Sequence, residues 1–144
     1  MRSKSSSQKG ASAVEFALVL PLLMVITFGI IEFGVFLYNQ QVITNASREG
    51  ARAGIVATGG SSRVTPDAIE AVVLNYCKDH LVTFGTKNDP TIVKPPVGYS
   101  SLAVFGTNLR VEVNYNYSFL VIPNFIPAIT KLRAMQAVTV MKYE

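Results

Sequence analysis

The sequence predicts an α+β protein: a long N-terminal transmembrane helix that extends out of the membrane and packs on a small antiparallel sheet, with a second helix beside it. Three observations carry that expectation. Between Phe16 and Tyr38 the only charged side chain is Glu32, and at about 1.5 Å per residue a helix of that length reaches roughly 30–35 Å, enough to cross a bilayer core. Helical spacing of apolar and small residues then continues through Val42, Ile43, Ala46, Gly50, Ala53, Gly54 and Ala57. Lastly, Leu109, Val111, Val113, Tyr115, Tyr117 and Phe119 alternate with polar residues, the pattern of a strand with one buried and one wet face.

The helix is preceded by a basic tail, Arg2, Lys4 and Lys9, with no acid in it. Such a tail also suits a cleaved secretory signal. The apolar run, however, exceeds the usual h-region of about 7 to 15 residues, and the nearest Ala-x-Ala, Ala51-Arg52-Ala53, lies far beyond it. The chain therefore divides into a cytoplasmic leader, 1–10, a long helix, 11–57, with its membrane span at about 16–38, and an extracytoplasmic α+β domain, 58–144. Basic residues flanking a span stay inside, so the domain is expected on the far side.

Within the span, Pro21 removes a backbone donor, which membrane helices tolerate. Glu32 sits near the outer end. It either marks the level at which the helix meets water or contacts a cation on a neighbouring subunit. Ala46, Gly50 and Gly54 lie one turn apart and form a possible helix-packing stripe, of the kind that lets another backbone approach closely; outside the apolar run it serves to lay the helix on its own sheet. Thr58-Gly-Gly-Ser-Ser62 then breaks the helix.

The second helix starts at Thr65-Pro66-Asp67, with Thr65 as N-cap and Ile69, Val72, Val73 and Tyr76 as its apolar face. A loop rich in Gly, Pro, Asn and Asp follows from Leu81 to Ser101, with a short extended piece at Thr91–Val93. Leu102–Phe105 and Leu109–Phe119 flank Gly106-Thr107-Asn108 as a hairpin. Ile122–Pro127 is an apolar loop, and Leu132–Tyr143 a last strand, apolar on both faces and so expected to be central or covered by the long helix.

Several function classes drop out. The net charge is +4, yet three of the thirteen basic residues are in the tail, leaving ten against nine acids from Gly10 onward, so no nucleic-acid partner is expected. One cysteine, Cys77, forms no intrachain disulfide, and with one histidine, His80, a four-ligand structural zinc site is not available. No Gly-x-Ser-x-Gly, His-Glu-x-x-His or P-loop spacing occurs. The expectation is a protein that is not an enzyme, with no catalytic residues, no cofactor and no metal.

Glu15 is the informative residue, because an acid at the mouth of a membrane helix is costly without a partner. Ala11 lies four residues before it, directly after Gly10. A cut between Gly10 and Ala11 would create an ammonium one helical turn from the carboxylate. Alternatively, Glu15 reaches back to headgroups and Lys9.

Lys9-Gly10-Ala11-Ser12-Ala13-Val14-Glu15-Phe16, followed by Ala-Leu-Val-Leu-Pro-Leu-Leu, resembles a type IV prepilin-like junction. More narrowly it is similar to the TadE family of pseudopilins of tight-adherence (Flp pilus) systems. The resemblance extends through Phe28-Gly-Ile-Ile-Glu-Phe-Gly34 and Asn45-Ala-Ser-Arg-Glu-Gly-Ala-Arg-Ala-Gly54. It implies processing between Gly10 and Ala11 by a prepilin peptidase, with Glu15 and Phe16 as assembly or recognition residues; Phe16 stands where Flp-type junctions usually carry Tyr. The implied partners are the bacterial inner membrane, the prepilin peptidase, the major Flp pilin, other pseudopilins and the platform proteins of the pilus. The competing expectation is an unprocessed, single-pass anchored module for periplasmic binding or adhesion.

Overall fold

The computed structural model describes residues 5–58, 62–84, 86–100, 105–120 and 134–143. Helix α1, Ser5–Ile55, runs for 51 residues and passes through Pro21. It starts earlier than the apolar pattern alone suggests and stops two residues before Ala57. The stop has a visible cause. The next residues form a two-residue strand, β1 (Ala57–Thr58), paired antiparallel with β2 (Ser62–Arg63), and the Arg63 guanidinium donates to the carbonyl of Ile55. A cation there answers both an unpaired carbonyl and the negative end of the helix dipole. The same guanidinium lies 4.0 Å over the Tyr143 ring, a cation–π contact.

Helix α2, Pro66–His80, begins as the sequence predicts: the Thr65 side chain accepts from the Ala68 N–H, Pro66 occupies the first turn, and Asp67 lies at the positive end. Its buried face is Ile69, Val73 and Cys77, with Tyr76 partly buried, while Val72 is exposed. The apolar face is therefore rotated slightly from the one expected, toward Cys77 and away from Val72.

Strands β3 (Thr91–Ile92), β4 (Asn108–Asn116) and β5 (Ala134–Lys142) form an antiparallel sheet in the order β3-β4-β5. Leu109, Val111, Val113 and Tyr115 are buried in alternation along β4. The alternation runs on through Tyr117 and Phe119, beyond the paired part of the strand.

Of the two placements expected for the last strand, the structure shows the second, cover by the long helix. The central strand is β4, and β5 is an edge among the described residues, covered on one face by α1: Met135 and Ala137 are buried, whereas Val138 and Val140 are exposed. Apolar residues on both faces of β5 do not reflect burial on both faces. The expected hairpin partner, Leu102–Phe105, lies outside the described residues except for Phe105, which is exposed in a turn. Gly106, at φ +82°, donates instead to the Tyr143 carbonyl, and the Tyr143 N–H donates to Thr107. Ile122–Pro127 also lies outside the described residues.

The sheet and α1 run side by side for the whole outer part of the helix. Leu109 sits against Gly54, Val111 against Gly50, Tyr117 and Phe119 against Phe36, and Leu120 against Glu32. The 22 helix steps from 54 to 32 rise about 33 Å, and the 11 extended steps from 109 to 120 span about 36 Å. The two elements are therefore antiparallel neighbours of matched length. The core lies between them and α2, built from Ile43, Ala46, Ile69, Val73, Cys77, the inward residues of β4, Met135, Ala137 and Tyr143.

Candidate functional site

The candidate site is α1 itself, which changes character part-way along. From residue 10 to residue 31 every side chain is exposed except at the half-buried Gly29, and this stretch carries Val14, Phe16, Leu18, Leu22, Leu23, Val25, Ile26 and Ile30. None of the described residues covers it. It is long and apolar enough to cross a membrane.

The junction residues lie at its start. Gly10, Ala11, Glu15 and Phe16 are all on the helix and exposed, so the Ala11 nitrogen and the Glu15 side chain fall one turn apart on one face. None of the ion pairs among the described residues includes Glu15. A Cβ placed on Gly10 would meet nothing within 4 Å. Glycine inside a helix costs about 1 kcal/mol relative to alanine, and no packing among the described residues accounts for it here.

At Glu32 the helix becomes the seat of the domain. Its carboxylate is 1% exposed and accepts the backbone N–H of Leu120. Both sequence readings of this residue are thereby corrected: Glu32 neither meets water nor lies open to a neighbour, because a strand extension of its own chain covers it. Phe36 follows one turn on, with ring centroids 5.6 Å from Phe119 and 5.9 Å from Tyr117. Next, the fully buried Asn39 donates to the Val82 carbonyl at 2.5 Å and accepts the Val82 N–H at 3.0 Å, an amide satisfied on both its donor and acceptor sides. Gln40 donates to the Gln136 carbonyl at 3.0 Å, and Ser47 shares a 2.6 Å hydrogen bond with Thr139.

Above these anchors comes the small-residue stripe. Ala46 is fully buried. A Cβ on Gly50 would collide with Val73, and one on Gly54 would lie 2.5 Å from Leu109 and 2.8 Å from Ile69. The stripe lays α1 against α2 as well as against the sheet, a partner that sequence spacing does not reveal. The sequence did hold a signal for the anchors. Stepping back from Gly50 by fours and threes gives Ala46, Ile43, Asn39, Phe36 and Glu32, one continuous face. Read as a face, the two polar residues in it had to be buried with partners.

Away from the helix, a cleft of about 610 Å³ opens between α2 and the loop after it, with Cys77, Leu81 and Tyr115 in its floor and Lys78, Lys87 and Asp89 at its rim. Burial raises the Cys77 thiol to about 11, so it is a protonated core group at neutral pH. His80 stacks on Tyr76 with centroids 4.4 Å apart.

The model of the TadE-like protein family matches residues 10–52. Comparison with curated proteins and with solved structures finds no match. The matched range begins at the junction glycine and ends within the packing stripe, so it takes in both the bare and the seated parts of α1. Over residues 10–52 the chain is similar to the TadE-like protein family.

Proposed function

We propose that this chain is a minor pseudopilin: anchored in the bacterial inner membrane by the inner part of α1, its leader cytoplasmic and its α+β domain periplasmic, and working in the assembly or secretion machinery of a tight-adherence (Flp) pilus. The observation that carries the reading is the division of one helix. A bare apolar stretch, 10–31, continues without a break into a stretch whose inward face is fully occupied. A helix of that kind needs two successive solvents on its inner part, first lipid and then the apolar helices of other subunits, while its domain stays folded. The family match over residues 10–52 supports the same machinery.

In this mechanism a prepilin peptidase cuts between Gly10 and Ala11. The open surroundings of Gly10 support a demand for glycine made by an outside reader. The new ammonium of Ala11 then lies one turn from Glu15 and neutralises it, within the chain or across to a neighbour, as the helices leave lipid and bury one another. Its partners would be the major Flp pilin, other pseudopilins and the platform proteins. Intact mass of membrane-extracted protein tests this: loss of residues 1–10 is expected, and a full-length chain that still supports fibres would overturn it. Glu15→Ala is expected to lose co-purification with pilus-base proteins; retained association would remove the role given to that carboxylate.

A second reading has one observation in its favour. The cleft beside Tyr115 has the size of a small-ligand pocket, which suits an unprocessed anchored binding module. A chain found uncut, together with pili unaffected by its deletion, would favour that reading.

A further inference from the structure

Resting on the reading of α1 as the membrane anchor, we propose that the domain does not stand clear of the bilayer: the lowest of its described segments, residues 117–120, enters the leaflet on the domain's side, with Leu120 against acyl chains and Glu32 sealed beneath it. The level of this segment is fixed by contacts. The Leu120 N–H donates to Glu32, and Phe119 stacks on Phe36, so Leu120 lies at the height of Glu32 on the helix. A hydrocarbon core of about 30 Å accommodates about 20 helical residues. Counted from Glu15, the acid at the inner end, the core extends to about residue 35, which leaves Leu120 about 4 to 5 Å inside it. Tilting the helix would place more residues in the core and move that boundary further outward.

Sliding the helix outward until Glu32 cleared the lipid would draw Glu15 into it. The two acids are not equivalent in that exchange. Glu15 is exposed and joins none of the ion pairs, whereas Glu32 is 1% exposed and already holds a hydrogen-bond donor. Since an intramembrane acid is tolerated when it is covered and bonded, the cheaper placement puts Glu32 inside. The surface around it fits the same environment. Leu120 is 65% exposed, and Phe33, on the turn of Glu32, is 48% exposed and stacked on Phe36 with centroids 6.1 Å apart. This apolar skirt is continuous with the bare stretch that ends at residue 31. Acyl chains cover both without a seam.

The chain has no tryptophan, so a single introduced indole reports its own surroundings. Full-length Leu120→Trp, reconstituted in phosphatidylethanolamine–phosphatidylglycerol vesicles, is expected to emit in the blue. Brominated phospholipids should quench it to an extent comparable with Leu22→Trp, while Val140→Trp, on the outer sheet face, stays red and unquenched. Quenched Leu22→Trp with unquenched Leu120→Trp would overturn this inference and leave the anchor reading standing. If Leu22→Trp is itself unquenched, the anchor reading falls and takes the inference with it. Blue but unquenched emission at 120 would place another protein surface there and would also overturn it. Leu120→Cys carrying a nitroxide gives a second readout, since buried Cys77 does not compete for the label: greater accessibility to oxygen than to a water-soluble nickel chelate is expected, and the reverse would overturn the proposal.

Discussion

The inner and outer parts of α1 are both apolar and both helical, yet one has no partner among the described residues and the other has one on every turn of its inward face. Hydrophobicity does not distinguish them. Glycine does: at Gly10 and Gly29, in the bare part, an added Cβ would meet nothing within 4 Å, while at Gly50 and Gly54 it would strike Val73, Leu109 and Ile69. The comparison teaches that an apolar helix belongs to its own domain where its small residues are filled from the other side and its polar ones are bonded. Elsewhere it is held for another solvent.

The largest effect expected is from filling the close approach. Gly50→Val or Gly54→Leu should destabilise the domain by about 3 kcal/mol, the upper end of the range for overpacking, read as a loss of urea midpoint in detergent. Gly29→Ala should leave that midpoint in place or raise it slightly, and a drop of equal size would erase the distinction between the two parts. Next comes the buried amide. Asn39→Leu strands both polar groups of Val82 at a cost of about 2 kcal/mol, whereas Leu37→Ala, on the exposed side, should cost little in the same assay. Ser47→Ala gives up one hydroxyl pair with Thr139 and should cost about 1 kcal/mol.

The smallest effect at neutral pH concerns Cys77, where it is nil. Both folded and unfolded chains hold the thiol proton below the ordinary thiol range. As pH rises through that range toward about 11, the unfolded chain releases the proton and the folded one retains it, so stability falls with rising pH across that window. Cys77→Ala should remove this part of the alkaline loss. In the wild-type chain, iodoacetamide should label Cys77 only after unfolding; rapid labelling of the folded protein would show that the outer interior is wet.

Much of this arrangement was legible in the residues. The second helix, with its Thr65 cap and Pro66, depends on neighbours in sequence, so its start could be read directly. The alternation from Leu109 to Phe119 likewise marked its buried face. What could not be read were the long-range pairings. Whether β5 lies at the centre or the edge depends on strand order, which Val138 and Val140 do not announce. The partner of Glu32 is a backbone N–H 88 residues away, and a backbone donor has no letter in the sequence. The Ala46, Gly50 and Gly54 stripe announced a close approach without saying to what. At the junction, Glu15 and its spacing from Ala11 could be read from charge and helical geometry, the peptidase and the role of Phe16 only from resemblance, and the fold adds that none of the described residues covers it.

The guanidinium of Arg63 ties the outer tip of α1 to the ring of Tyr143 at the end of the last strand, and Glu32 ties its midpoint to the strand beside it. Between those two fastenings the helix is clamped along its length to a stiff plate. A pull on the outer body is therefore delivered as axial traction to the bare stem below, which has no hinge between residue 31 and residue 32 at which the load could be lost.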